Sequence, residues 1–152
     1  MKRQTKADKF ADLADVIKCI NEGKKVKRIK RYKDGSIPTK PIIPCPNAPE
    51  KDVLKQCLEW LKKQGIKADR HDAGTFQNSR GQWGTYGIKG GGDIIGLLKG
   101  GRHFEIEVKA GKGGRLSKGQ QKRQHDIKES NGIYLIVHSL LELQVLWKKY
   151  AM

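Results

Sequence analysis

All five prolines of this 152-residue chain fall between positions 38 and 49, in the run Ile37-Pro38-Thr39-Lys40-Pro41-Ile42-Ile43-Pro44-Cys45-Pro46-Asn47-Ala48-Pro49. Each proline fixes its own φ, lacks an N–H and disfavours helix in the residue before it, so the run supports neither a helix nor an inner strand. It reads as an extended linker dividing the chain near Asn47 into an N-terminal appendage, residues 1–46, and one main domain, residues 47–152. The length allows one domain with a real core and not two large ones.

In the appendage, Phe10, Leu13, Val16, Ile17 and Ile20 recur at helical spacing and Gly23 offers a stop. Positions 24–33 follow, seven of them basic, with Lys27, Arg28, Lys30 and Arg31 set around Ile29 and Tyr32. Such a run is either a solvated face or a surface for phosphates. The whole chain carries 32 Lys and Arg against 16 Asp and Glu, a formal charge of +16, which points to a polyanionic partner. No long apolar run is present and Met1–Lys6 is polar, so membrane spanning and secretion are not expected and the cytoplasm is the expected compartment. Cys19, Cys45 and Cys57 have no CxxC spacing, and His71, His103, His125 and His138 are scattered. Reduced structural thiols are expected, and zinc is not.

Downstream of Asn47, Val53, Leu54, Cys57, Leu58 and Leu61 mark one face of a helix over 48–64, ended by Gly65. Residues 66–71 suit a strand, and the glycine-rich stretch 73–92, with Phe76, Trp83 and Tyr86, a long loop or loose hairpin. Strands are expected at 93–98 and 103–109 around Lys99-Gly100-Gly101, then a polar helix from Ser117 to Asn131, a buried strand over 133–137 and a last helix opened by Ser139 and Glu142. That helix carries Leu140, Leu143, Leu146, Trp147 and Tyr150. The order α, β, loop, β, β, α, β, α implies an α/β fold with a mixed central sheet flanked by helices.

The glycines do not make a nucleotide loop. Gly87–Gly92 and Gly111–Gly119 contain no GxGxxG, and Gln120-Gln121 stand where a Walker loop needs Lys and Ser or Thr. What remains is Asp93 at the start of one strand and Glu107-Val108-Lys109 at the end of the next. Within 103–109, Phe104, Ile106 and Val108 point one way and Glu105, Glu107 and Lys109 the other. A three-residue loop sets Leu98 opposite Arg102 and Asp93 opposite Glu107, with Lys109 on the same side; a two-residue loop separates the carboxylates onto opposite faces.

Two carboxylates a few ångströms apart repel by about 4 kcal/mol at an effective dielectric of about 20, which a shared proton or a bound cation relieves. Oxygen ligands select Mg²⁺ or Mn²⁺, and a lysine beside them suits phosphodiester hydrolysis. On the first helix Glu50 lies with the apolar face and Glu59 away from it, so Glu50 is either a site acid or the partner of Asn47 in a capping box. Gln120 poses the same choice, because Ser117-Lys118-Gly119-Gln120 is also a capping box while Gln120, Gln124 and Ile127 share a face. Lys118, Lys122, Arg123 and Lys128 decorate the rest of that helix, a plausible track for phosphates.

Gly91-Gly92-Asp93, Glu107-Val108-Lys109 and Leu116-Ser117-Lys118-Gly119-Gln120 resemble the motifs of PD-(D/E)XK nucleases. Gly87-Ile88-Lys89-Gly90 leading into Asp93-Ile94-Ile95-Gly96, with Gly-Arg-Leu-Ser after the Glu-Val-Lys, resembles the VRR-NUC family, which includes small stand-alone phage members. The similarity spans residues 47–138. It implies a restriction-endonuclease-like core that uses Mg²⁺ or Mn²⁺, with Asp93 and Glu107 as metal ligands, the Val108 carbonyl as a further ligand, Lys109 as catalytic lysine, Glu50 as the first-helix acid and Gln120 as accessory glutamine. Gly92 departs from the pattern, standing where the family name has proline.

The expectation is a metal-dependent DNA endonuclease, structure-selective on branched DNA and, by analogy with the resolvase-like members, able to act as a homodimer. Lys112, Arg115, Lys118, Lys122 and Arg123, with Lys27, Arg28, Lys30 and Arg31, are the candidate DNA contacts. A basic nucleic-acid-binding module without catalysis, or an assembly factor built on the 10–20 helix, are the alternatives.

Overall fold

The computed structural model describes residues 5–24 and 32–150. The basic cluster Lys27, Arg28, Lys30 and Arg31 lies outside the described residues. In chain order the elements are α1 (Lys6–Asn21), β1 (Ile37–Thr39), α2 (Glu50–Lys63), β2 (Lys67–Arg70), β3 (Gly74–Gln77), β4 (Trp83–Tyr86), β5 (Ile94–Leu97), β6 (His103–Val108), β7 (Gly114–Leu116), α3 (Lys118–Glu129), β8 (Ile133–Val137) and α4 (Leu140–Trp147). Among the described residues no helix is long and apolar enough to cross a membrane.

Four strands form the central sheet in the order β2-β5-β6-β8; β6 runs antiparallel to β5 and parallel to β8, so the sheet is mixed. Its apolar face is what the alternation in β6 dictates. Phe104, Ile106 and Val108 pack with Ile94 and with Ile133, Leu135 and Val137 against Val53, Cys57 and Leu61 of α2 and Leu143 and Trp147 of α4. Trp147 meets Phe104 edge-on at 5.0 Å and Trp60 at 6.3 Å. Burial pushes the Cys57 thiol up to about 12, which leaves it an inert core group.

The opposite face of β6 is buried too, although it carries Glu105, Glu107 and Lys109. It is covered by α3, a helix whose mean hydropathy is too low to be held by burial alone. Polar and apolar contacts share that duty: Ile127 is buried, while Gln120 and Arg123 turn inward onto the charged face.

The proline-rich run is extended, as its chemistry requires, yet it is a strap and not a spacer. Its first residues form β1, an edge strand that tolerates Pro38 and pairs antiparallel with β7, Ile37 opposite Leu116. The Ile42 N–H donates to Glu142 Oε1 at 3.2 Å and the Gly111 N–H to the Ala48 carbonyl at 3.0 Å. A Cβ on Gly111 would lie 1.8 Å from the Pro46 carbonyl oxygen, so this approach needs glycine.

Beneath the strap, Glu142 Oε2 accepts from the His138 N–H at 2.6 Å and meets His138 Nδ1 at 3.0 Å, while His138 Nε2 reaches Thr39 Oγ1 at 3.1 Å. The Cys45 thiol donates to Ser139 Oγ at 3.1 Å. Residues 32–49 thus pack on the same unit as the sheet, and the expected boundary near Asn47 runs through it. Prolines declare what a backbone cannot form; they are silent about what it packs against.

Glu142 therefore bridges the strap and α4 with both oxygens. Glu142→Ala leaves the His138 and Ile42 N–H groups without their acceptor and should lower stability by about 2–4 kcal/mol. Urea denaturation with unchanged m and a lower midpoint is the expected reading.

Candidate active site

The turn between β5 and β6 decides the chemistry of the sheet. Leu98 N–H donates to the Arg102 carbonyl at 2.9 Å, so Lys99, Gly100 and Gly101 form a three-residue loop, and both glycines adopt positive φ. Leu97 then faces His103 and Ile94 faces Ile106, which carries the register to Asp93 opposite Glu107. Both carboxylates stand on the face that holds Lys109. The alternative two-residue loop is not what forms.

Glu107 is 2% exposed. Its Oε1 accepts from Lys109 Nζ at 2.7 Å and from Gln120 Nε2 at 2.5 Å, but its buried Oε2 has no hydrogen-bond partner. Burial, reinforced by the Asp93 charge and opposed by Lys109, raises its pKa to about 7. Asp93 is also raised by burial, against the bond its Oδ2 accepts from the Val108 N–H at 2.8 Å. That bond replaces a sheet bond. The Gly92 N–H, which would complete the ladder at the Val108 carbonyl, instead donates to Glu105 Oε2 at 2.8 Å. The Val108 carbonyl therefore lies beside Asp93 free of that ladder bond.

Gln120 resolves its two readings by satisfying both. Its Oε1 accepts from the Ser117 N–H and its own N–H donates to Ser117 Oγ, a complete capping box, while its Nε2 holds Glu107. Glu50 resolves differently. The cap of α2 is Pro49 with no side-chain bond, so no Asn47–Glu50 box forms. Burial raises the Glu50 carboxyl, with Lys109 and Asp93 close enough to act on it in opposite directions, yet its side chain stays exposed. Glu59 is exposed, as its position on the helix requires. Among the described residues no three His, Cys, Asp or Glu side chains gather as a metal-binding group. The oxygen donors are Asp93, Glu107 and the Val108 carbonyl, with Glu50 at the edge.

The expected DNA contacts divide. Lys112 and Lys118 are exposed, and Lys122 is exposed with a surface ion pair to Asp126 at 2.6 Å, a contact weak enough for a phosphate to displace. The Arg115 guanidinium sits 3.5 Å above the Tyr32 ring. Arg123 is a correction. It turns inward and its Nε and Nη2 bind Oε1 of Glu105, a carboxylate at 0% exposure that needs a cation. Burial pushes Glu105 up, but the bonds from Arg123, Gly92 and His103 outweigh it and hold it below the ordinary value.

Sequence reasoning missed Glu105, His71 and Tyr134. His71 Nδ1 donates to the Gly92 carbonyl at 3.0 Å, its Nε2 accepts from the Ile88 N–H at 3.0 Å, and its backbone N–H donates to the Asp93 carbonyl at 2.8 Å. It thereby fixes the loop that presents Asp93. Tyr134, opposite Glu105 on β8, is 3% exposed with a hydroxyl that has no partner, and burial next to Glu107, Glu105 and Asp93 raises its pKa. Only the strand alternation hinted at Glu105; the two others needed the fold.

No family model, curated protein or solved structure matches this chain.

Two outcomes follow from this geometry. Gly92→Pro removes the N–H that Glu105 Oε2 needs, and a Cβ there already lies 2.9 Å from the Ile106 carbonyl oxygen, so it should cost about 1–3 kcal/mol by urea denaturation. Glu107 binds its proton more tightly folded than unfolded, so with EDTA present its contribution to stability falls as pH rises from about 4.5 through about 7. Wild type should lose stability relative to Glu107→Gln between pH 4.5 and 7.5.

Proposed function

We propose that the chain is a Mg²⁺- or Mn²⁺-dependent DNA endonuclease built on a PD-(D/E)XK core of the VRR-NUC kind. The observation that carries this reading is the buried, unpartnered Oε2 of Glu107, opposite Asp93 and beside Lys109, in a chain of charge +16. A buried anionic oxygen without a donor costs several kcal/mol or takes up a proton, and a hard cation removes that cost. Asp93, Glu107 and the Val108 carbonyl are the oxygens that would hold it. Held by these residues, such a cation would supply Lewis-acid stabilisation of the charge that grows on the phosphate oxygens during hydrolysis.

The chain's own residues do the remainder. Lys109, fixed by Glu107 Oε1, presents an ammonium whose other protons bond a phosphate oxygen or the attacking water. Gln120 locks the orientation of Glu107 through a cap that ties it to the start of α3. Glu50 adds negative charge at the edge of the site, where it attracts a cation. Lys112, Arg115, Lys118 and Lys122 bind backbone phosphates and give affinity without sequence preference. The likeness to resolvase-like members makes branched DNA the favoured substrate and a homodimer the acting form.

Glu107→Ala and Lys109→Ala should each lower Mn²⁺-dependent cleavage of labelled DNA by at least about a hundredfold. Duplex affinity should stay within about threefold, because many phosphates share it. EDTA should stop cleavage by the wild type. Salt-sensitive binding with no metal-dependent cutting would instead identify a non-catalytic nucleic-acid-binding module.

A further inference from the structure

The β3–β4 hairpin contributes nothing to the central sheet, yet it leads directly into the catalytic loop. Residues 73–92 contain no Asp or Glu and carry Arg80 and Lys89. The register sorts the hairpin's aromatic rings onto two faces: Phe76 opposite Gly84 and Tyr86 opposite Gly74 on one, Trp83 opposite Gln77 on the other. Phe76 and Tyr86 lie 6.5 Å apart and cover the backbone of the glycines they face, where a Cβ would come within 2.6–2.8 Å of a ring or hydroxyl. Those two rings stabilise the hairpin itself. Trp83 does not share that duty, and it is 73% exposed.

The display is rigid at both ends. At the tip, Asn78 Oδ1 accepts from the Arg80 and Gln82 N–H groups, and the Asn78 N–H donates to the Gln82 carbonyl at 2.9 Å. At the root, the His71 ring bridges Ile88, two residues after the hairpin, to Gly92, one residue before Asp93. Tyr86 and Asp93 are seven residues apart, a span of at most about 25 Å even if extended. The hairpin and the carboxylates are thus close enough in the chain to meet one strand of nucleic acid together.

We propose that this hairpin is a stacking platform for unpaired bases of DNA, so that the site acts on phosphodiesters adjoining unpaired nucleotides. The inference rests on the nuclease reading and deepens it. An exposed indole offers a π surface that any base can cover, whereas bases inside a duplex already have both faces covered by their neighbours. The charge of the segment matches such a ligand: Arg80 lies in the tip of the same hairpin, three residues before Trp83, and no carboxylate in positions 73–92 repels a phosphate.

The test uses the full chain with dye-labelled DNA in EDTA, comparing a flap with unpaired bases against a blunt duplex of the same sequence by anisotropy. Trp83→Ala should weaken flap binding at least about fivefold and blunt-duplex binding less than about twofold, with Trp83→Phe restoring most of the flap affinity. An equal loss on both DNAs, or no loss on the flap, overturns the platform. Cleavage of the same DNAs in Mn²⁺ separates the two ideas. Trp83-dependent flap preference without cutting sinks the hydrolytic reading and keeps the platform; cutting with a Trp83-independent preference does the reverse. Absence of binding to either DNA overturns both.

Discussion

The structure turns on a strand that is buried on both faces while one face carries two carboxylates and a lysine. For β6 the apolar side needs no explanation, since Phe104, Ile106 and Val108 fill the core between sheet, α2 and α4. The other side sets the demands that the rest of the chain meets. Glu105, Glu107 and Lys109 are all buried, and each must be compensated by groups from outside the strand. Much of the polar architecture is an answer to that demand: the inward turn of Arg123, the rotation of the Gly92 N–H away from the ladder, and the reach of Gln120 from its own helix cap. A helix as polar as α3 docks on the sheet because it brings the compensation that the sheet requires.

The two acids receive different treatment. Glu105 has donors on both oxygens, and its carboxyl is held below the ordinary range in spite of complete burial. Glu107, two residues along on the same face, has donors on one oxygen only, and burial carries it to about 7. Glu105 is thus a structural acid, spent on holding the glycine loop and α3 in place. Glu107 keeps one buried oxygen without a donor, on the strand position opposite Asp93. Groups that depart from full satisfaction while their neighbours observe it mark the place where a site is expected.

How much of this the sequence disclosed depends on whether the signal was local. The loop Lys99-Gly100-Gly101 offered two registers, and glycines able to take positive φ permitted the one that aligns Asp93 with Glu107. The caps at Ser117 and Ser139 were legible because capping is a matter of three or four residues. Arg123 was placed on the outer surface because nothing local to its helix reveals the buried Glu105 that it turns inward to meet. The strap was read as a linker because its partners, His138, Glu142 and β7, lie about a hundred residues away or are only three residues long. The hairpin 74–86 lacked the alternation that marks a half-buried strand, for the simple reason that neither of its faces meets the core.

Each acid gives Oε1 to a cation, and what meets the second oxygen explains why the two end so differently. A guanidinium presents several N–H donors in a planar fork, and two of those on Arg123 reach a single oxygen of Glu105 while leaving the other oxygen to Gly92. An ammonium is a point charge. Lys109 engages Oε1 of Glu107 alone, and the amide of Gln120 joins it on the same atom, so the second oxygen stays clear. An arginine at position 109, with a fork wide enough to span both oxygens, would close on Glu107 the opening that the Gly92 N–H closes on Glu105. The lysine two residues after Glu107 therefore neutralises part of the buried charge and leaves Oε2, the oxygen that the proposed divalent ion would use, without a donor.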